Sequence, residues 1–279
     1  MKIFHIIAAL YTAAFLFSCG GGETNGETSP AISVTTSYLE TAASDLLGNS
    51  VSFVRVVPPG MCPGHFDIAP GTVRDIRDSR MMLRFEFQKS LDSKISSLID
   101  EEYPIFGIKA PEGLCIPESY LDCLQQTHES LVTVFPSLKQ KMDSNYDEAQ
   151  KKIGELEKEI RKTITDHELE GVRVIASGHQ SKFCRRMGLD VVAVYSGAER
   201  TTPRKLKEMI DEGEDAQVQY IIANLQEGAR MAEALSARLD CDIVTFSNFP
   251  DMSEKQDSFY ELIRYNLHQL AQAEQANRE

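Results

Sequence analysis

The feature that most constrains the fold is an alternation of short β-branched runs with longer segments of helical periodicity. The runs fall into two groups, one on each side of a long charged stretch in the middle of the chain. Strands that alternate with helices predict mainly parallel sheets covered by helices. We therefore expect an α/β fold with two lobes, each a roughly four-stranded, mainly parallel sheet flanked by helices. The predicted strands are Ile32–Thr36, Val51–Val56, Met82–Phe87, Pro104–Ile108, Val172–Ala176, Val191–Tyr195, Val218–Ala223 and Asp242–Phe246.

The middle stretch has the pattern of one long amphipathic helix. Apolar residues recur at steps of three and four from Tyr146 to Ile164, and Lys, Glu and Arg fill the positions between them. A helix over 137–168 would extend roughly 45 Å, enough to run the length of a two-lobed molecule. Its apolar stripe is shorter than a coiled coil requires. We expect this helix to connect an N-terminal lobe over 31–136 to a C-terminal lobe over 169–279.

The first residues have the pattern of an export signal. Lys2 precedes an almost uncharged run, and glycine and polar residues follow directly after Cys19. A membrane span needs about 20 apolar residues, so a run this short is typical of a signal segment. Leu16-Phe17-Ser18-Cys19 is similar to the lipobox of bacterial lipoproteins. We expect a signal peptide over 1–18, a lipid on Cys19 and a flexible tether over 19–30, with a plain secretory signal as the alternative.

The charge and the missing catalytic motifs exclude several classes of function. The formal net charge of −13 opposes binding to nucleic acid. No serine stands in a nucleophile-elbow pattern, and no glycine-rich loop resembles a P-loop. We therefore expect a binding protein that is not an enzyme. The export signal and the lipobox imply that it is anchored to a bacterial membrane and faces the periplasm or the cell exterior, where disulfides can persist.

Side chains that can bind a ligand follow the predicted strands. His65 lies in a proline-rich loop after Val51–Val56, and His179 lies at the junction after Val172–Ala176. Glu112 lies in another constrained turn between them. Loops beyond the carboxyl ends of parallel strands are where open α/β sheets bind ligands, and a neutral imidazole is the commonest metal donor. We expect these loops to converge on one cleft, although each histidine by itself is equally compatible with a structural role.

Segments spread over the chain resemble the solute-binding lipoproteins of zinc and manganese ABC transporters, two-lobed proteins whose lobes are joined by one long helix. The resemblance covers nearly everything after residue 30. It implies capture of a divalent metal ion, zinc first with manganese or iron as alternatives, and delivery by a monomer to a permease in the cytoplasmic membrane. The matching segments are Val34-Thr35-Thr36-Ser37, Val56-Val57-Pro58-Pro59-Gly60, Thr202-Pro203, Asn224-Leu225-Gln226 and Leu262-Ile263-Arg264-Tyr265-Asn266-Leu267.

The resemblance also implies a metal site. The family's first histidine lies in a Pro-Pro-Gly loop, and His65 stands one place after the matching column. Glu112 holds the column of the second histidine, and His179 is the nearest donor to the third. Asn248 holds the column of the family's aspartate, with Asp251 as a nearby charged substitute. Two imidazoles with carboxylate and amide oxygens would be tolerated by Zn, Mn or Fe.

The cysteines other than Cys19 leave two interpretations open. Cys62 and Cys115 lie on the two N-terminal-lobe loops that the resemblance brings face to face, which favours a disulfide between them. Cys62 could instead give a thiolate to the metal, which would favour a softer ion. Five cysteines remain beside Cys19, an odd number that cannot all pair within one chain.

Three other functions stay open. A binding protein for a chelated metal or a small organic ligand would use His65 and His179 to line the pocket without coordination. An adhesin-like surface lipoprotein would use an exposed face and would not need the cleft. A metal-dependent hydrolase would need an open coordination position and a positioned base.

Overall fold

The computed structural model describes most of the chain after the predicted tether. Cys19, Cys62 and His65 lie outside the described residues, as does the predicted signal peptide. Among the helices that are described, none has the length and apolar character needed to cross a membrane. The described residues are 32–48, 51–57, 68, 70–96, 99–110, 112–251 and 257–278.

The described residues of the N-terminal lobe form one parallel sheet and four α-helices. Its strands are β1 (Ile32–Val34), β2 (Phe53–Arg55), β3 (Met82–Phe85) and β4 (Ile105–Ile108). They pair in the order β2-β1-β3-β4. Its helices are α1 (Ser37–Leu47), α2 (Pro70–Asp78), α3 (Ser90–Ile95) and α4 (Pro117–Val134).

The long helix α5 (Lys139–Asp166) leads from this lobe to a second lobe of the same plan. The C-terminal strands are β5 (Arg173–Ser177), β6 (Asp190–Tyr195), β7 (Tyr220–Asn224) and β8 (Asp242–Phe246). They are parallel and pair in the order β6-β5-β7-β8. The helices are α6 (Ser181–Arg186), α7 (Pro203–Ala216), α8 (Arg230–Leu239) and α9 (Phe259–Arg278).

The predicted fold class is confirmed. Strands β1 and β3 end earlier than predicted, and local capping contacts explain both differences. Each predicted strand is present, with two four-stranded parallel sheets and a long helix between the lobes. β1 ends before Thr36 because that side chain accepts a hydrogen bond from the Leu39 N–H at 3.3 Å and so begins α1. β3 ends at Phe85, whose N–H donates to the Gln88 Oε1 at 3.1 Å as a short 3₁₀ turn begins.

One hydrophobic core runs through both lobes. Phe259 of α9 stacks on Tyr120 of α4 with ring centroids 4.0 Å apart, and it meets the edge of Tyr38 of α1 at 6.0 Å. Val174 and Ile222 of the C-terminal sheet belong to the same buried cluster. A rotation of one lobe against the other would have to separate these close-packed side chains.

The outer face of each sheet carries its own smaller cluster. In the C-terminal lobe, nine buried residues that include Ile175, Ile221 and Leu235 pack beneath α7 and α8. The N-terminal lobe has only four buried residues in the corresponding cluster among the described residues, and Ile76 is one of them. The described part of the outer cluster is therefore smaller in the N-terminal lobe.

Candidate metal centre

The carboxyl ends of the two sheets face each other at the boundary between the lobes. Cys115 follows β4, and its Sγ donates a hydrogen bond to the carbonyl of Ser247, after β8, at 3.2 Å. Glu112 in the same loop pairs with Lys182 of α6, after β5, at 2.8 Å. Loops that follow β4, β5 and β8 therefore meet at the edge where open parallel sheets bind ligands.

Glu112 lies at the outer rim of this boundary. Its side chain is 81% exposed, and a carboxylate oxygen accepts a hydrogen bond from the Lys182 ammonium at 2.8 Å. That hydrogen bond and the Lys182 charge lower the pKa of the Glu112 carboxyl. The carboxylate faces a cation that the protein itself supplies, so a metal ion bound there would compete with the Lys182 charge.

His179 lies in the turn between β5 and α6 and is exposed. Its backbone N–H donates to the Ser177 Oγ at 3.3 Å. The Ser177 hydroxyl in turn donates to the Oε2 of Glu227 at 2.6 Å. Glu227 comes from the turn after β7. Ser177 therefore links the turn that carries an imidazole to a carboxylate from the neighbouring strand.

Asn248 is buried behind this turn. Its Oδ1 accepts a hydrogen bond from the Gln180 Nε2 at 2.9 Å and lies 3.6 Å from the Cys115 Sγ. Its N–H donates to the Gln226 Oε1 at 3.0 Å. The amide oxygen that the resemblance assigns to the metal is thus already used by protein donors. Asp251, further along the same loop, is partly buried.

Neutral amide side chains occupy the buried part of this sheet edge. The Gln180 side chain is fully buried, and its Nε2 also donates to the Asn224 Oδ1 at 3.2 Å. Its Oε1 has no hydrogen-bond partner among the described residues. Asn266 of α9, by contrast, uses both amide atoms, one on the Ser247 N–H and one on its carbonyl, each at 2.9 Å. Gln180 is therefore the member of this amide group with an unused buried acceptor.

Cys115 has a free thiol in the part of the chain that the structure describes, and the disulfide to Cys62 expected from the sequence stays a prediction. The Sγ is turned toward the C-terminal lobe, where it also accepts a hydrogen bond from the Asn266 Nδ2 at 3.4 Å. Burial, with a smaller effect of the neighbouring Cys184, raises the pKa of the Cys115 thiol well above its ordinary value. Cys62 itself lies outside the described residues.

The predicted donors are only partly brought together. Within the described ranges, no three or more His, Cys, Asp or Glu residues form a group that could hold a metal ion. Glu112 and His179 are exposed at the boundary, whereas Asn248 is buried. His65 is outside the described residues, so the full predicted set is not tested by these contacts.

Two residues that sequence reasoning missed belong to this edge. Gln180 directly follows His179, but a glutamine in a turn carries no sequence signal for a ligand. Glu227 directly follows Asn224-Leu225-Gln226, and its position after a strand was the available signal. The sequence alone does not reveal the role of Glu227, because that role depends on a tertiary contact with Ser177.

Known proteins share this architecture. Residues 116–273 match the family model of ZnuA, described as the periplasmic component A of the zinc-uptake complex. The fold is similar to the Cd-bound periplasmic metal binding protein from Candidatus Liberibacter asiaticus, with a TM-score of 0.73 at 11% identity over 87% of this chain and 98% of that chain. It is also similar to the periplasmic zinc binding protein TroA from Treponema pallidum, with a TM-score of 0.71 at 14% identity over 88% and 99%.

A crystal structure of ZnuA gives a TM-score of 0.70 at 14% identity, with 87% of this chain and 98% of that chain covered. Identities this low establish a shared fold and nothing finer. No curated protein is similar enough in sequence to match the chain.

Proposed function

The chain belongs to the ZnuA family of periplasmic zinc-uptake components, whose model matches more than half of it, and on this basis we propose that it captures a divalent metal ion and delivers it to an ABC permease. Zinc is the first candidate, with manganese and iron as the alternatives. The family consists of solute-binding proteins, which agrees with the expectation that the chain is not an enzyme.

The observation that carries the proposal is the meeting of the strand-end loops at the lobe boundary. A cation there would take imidazole nitrogens from His179 and His65. Oxygen donors would come from Glu112, after release of Lys182, or from Asn248 and Asp251 in the loop after β8. The shared core favours small loop and lobe shifts on binding over wide closure.

The donor types support zinc first. Nitrogen and oxygen ligands are accepted by Zn, Mn and Fe, and the general order of affinities places Zn above Mn. Similar folds are described with cadmium, with manganese and as zinc-binding. The ion is cargo in this proposal, so its release to the permease matters as much as its capture.

The proposal also includes the placement of the protein. A diacyl group on Cys19 would tether a monomer to a bacterial membrane, with the lobes facing the periplasm or the cell exterior. Labelling of the expressed protein with a fatty acid, compared with Cys19→Ala, tests this part separately. Label that persists in Cys19→Ala would contradict it.

Elemental analysis of the purified protein after exposure to zinc tests the capture. We expect bound zinc in the wild type and a loss of it in His65→Ala and His179→Ala. His268→Ala is the matched control, because His268 is exposed on α9. A wild type without bound metal, or wild-type occupancy in both site variants, would overturn the proposal.

A second candidate is a chelated metal or a small polar organic ligand. The buried Gln180 favours it, because its Oε1 is a neutral hydrogen-bond acceptor without a partner among the described residues. Native mass spectrometry distinguishes the two candidates. A metal that leaves together with an organic molecule supports the second, and a bare ion supports the first.

A further inference from the structure

Glu227 is a carboxylate at the metal-facing edge that the predicted ligand set does not include. It lies in the short turn directly after β7 and is partly buried. β7 stands between β5 and β8 in the sheet. Glu227 therefore comes from the strand between the one that leads to His179 and the one that leads to Asn248.

The neighbouring residues Ser177 and Gly197 fix the position of the Glu227 carboxylate but carry no positive charge to offset its own. The Ser177 hydroxyl donates to Oε2 at 2.6 Å. A Cβ on Gly197, after β6, would lie only 3.3 Å from Oε1, so the absence of a side chain there makes room for the carboxylate. None of the Lys or Arg residues in the described ranges forms an ion pair with it. A partly buried carboxylate without a cation is unfavourable.

Gln180 gives a second, independent sign of a ligand at this place. Its Oε1 is buried without a hydrogen-bond partner among the described residues. Its orientation is set by Nε2, which donates to the Oδ1 atoms of Asn224 and Asn248. A buried acceptor that stays unpaired costs free energy, and a bound cation would remove that cost by accepting the oxygen as a ligand.

Gln180 and Glu227 are connected through two short bridges. The backbone N–H of Gln180 donates to the Ser177 carbonyl at 2.9 Å, while the Ser177 hydroxyl binds Glu227. The Gln180 amide also binds Asn224, which ends β7 directly before the turn that carries Glu227. An anionic oxygen and an unused neutral oxygen are thus attached to the same pair of strand ends, beside His179.

We propose that Glu227 supplies the anionic ligand of the C-terminal lobe to the bound divalent cation, with the Gln180 Oε1 as a neutral oxygen donor beside it. This inference rests on the proposed function. Asn248 holds the column of the family's aspartate but is neutral, and Glu227 would supply the missing negative charge from the end of the neighbouring strand β7. One carboxylate oxygen, one amide oxygen and the His179 imidazole form a mixed set that Zn and Mn both accept.

Glu227→Gln tests the inference most cleanly, because it keeps the shape and a hydrogen bond to Ser177 while it removes the charge. We expect zinc affinity to fall by at least the factor of about 10–100 that is typical when a group supporting a metal ligand is removed. Competition between the purified protein and a chromophoric chelator for zinc alone measures it. Glu199→Gln is the control, since it removes the same charge from an exposed position after β6 and should leave affinity unchanged.

Two further variants separate charge from shape. Asn248→Asp in the Glu227→Gln background should recover part of the lost affinity, because it returns a carboxylate to the same edge. Gln180→Met, which removes the unpaired oxygen, should weaken zinc binding without abolishing it.

A stability control shows whether Glu227 has a purely structural role. The thermal stability of metal-free Glu227→Gln should not fall below that of the wild type, since the carboxylate has no cationic partner to lose. If Glu227→Gln does not fold, Ser177→Ala replaces it and should weaken binding by releasing the carboxylate.

The outcomes distinguish the inference from the proposed function. A wild type that binds no divalent cation would defeat the proposed function. A wild type that binds zinc, with Glu227→Gln or its replacement Ser177→Ala equal to Glu199→Gln, would defeat this inference alone.

Discussion

The two lobes have the same plan, but the C-terminal lobe has the longer strands. N-terminal strands have three or four residues, and C-terminal strands have five or six. The outer cluster of the N-terminal sheet has four buried residues in the described ranges, against nine in the C-terminal sheet. Long strands with a packed outer layer hold strand-end side chains more rigidly. The longer strands indicate that the C-terminal lobe holds its strand-end side chains more rigidly.

The inner faces of the lobes do not differ in this way, because they share one core. α1, α4, α5 and α9 contribute to a single buried cluster together with both sheets. The lobes should therefore unfold together through the inner core, while their outer layers loosen separately. The following predictions test both halves of this comparison.

Phe259→Ala should have the largest effect, because the ring is fully buried and stacks on Tyr120 across the lobe boundary. Loss of such a ring costs about 3–5 kcal/mol of unfolding free energy. Chemical denaturation measures the cost. Phe87→Ala is the matched control, since that ring is 57% exposed. Hydrogen exchange that shows destabilisation in only one lobe would contradict a shared core.

Ile221→Ala and Ile76→Ala compare the two outer layers directly. Both side chains are almost fully buried. Truncation of a buried isoleucine costs about 2–5 kcal/mol, and the cost depends on how far the surroundings can collapse. We expect the upper end for Ile221 in the larger cluster and the lower end for Ile76 in the smaller one. Equal or reversed costs in denaturation would contradict the expected difference between the two layers.

Thiol alkylation sharpens the comparison at the lobe boundary. Cys115, Cys123 and Cys184 are buried, and burial raises the pKa of Cys184 to about 12. These thiols should react only on unfolding. Cys241 is partly exposed, with a pKa raised to about 11, and should react first as pH rises. A peptide map without reductant that shows Cys62 bonded to Cys115 would contradict the free thiol.

The smallest expected effect is the change of stability with pH in the acid range, which should have opposite signs at the carboxyls of Asp45 and Asp143. Burial raises the pKa of Asp45, and hydrogen bonds from Tyr120 and Tyr260 offset only part of that effect. The folded protein then binds this proton more tightly than the unfolded chain does. Stability relative to Asp45→Asn should therefore rise as pH falls from neutral through the raised pKa, and level off below the ordinary value of 3.8.

Asp143 is the counterpart, because the hydrogen bond from Lys139 lowers the pKa of its carboxyl. Stability relative to Asp143→Asn should be present above the ordinary value of 3.8 and be lost as pH falls through the lowered one. Thermal unfolding across the acid range measures both. Stability slopes of the same sign would contradict the assigned difference between Asp45, which is partly buried and joins α1, α4 and α9, and Asp143, which lies at the surface.

The fold was predictable because its signals are local. Strand Asp242–Phe246 was located to the residue, and the long helix differs from its predicted limits by only a few residues at either end. Thr36 and Phe85 show where local reasoning ends, since each strand stops at a capping contact. The eight predicted strands are all present, which the alternation of short apolar runs and helices was sufficient to indicate.

The site was less predictable because its chemistry is tertiary. The burial of Asn248 depends on Gln180 and Cys115, which are distant in sequence. Glu227 is one of 42 acidic residues, and its position after a strand is too weak a signal to single it out without the contact with Ser177. The Lys182 contact that occupies Glu112 likewise joins two lobes. The contacts of Cys115 with Asn248 and of Glu112 with Lys182 exist only once the two sheets face each other, and the others exist only once the C-terminal strands lie side by side.

Anomalous diffraction from crystals of the zinc-loaded protein tests metal capture at the lobe boundary most directly. We expect one strong peak there, with the His179 imidazole nitrogen and a Glu227 carboxylate oxygen about 2.0–2.2 Å from the ion. A peak bonded to neither residue, or crystals that take up no zinc, would contradict it.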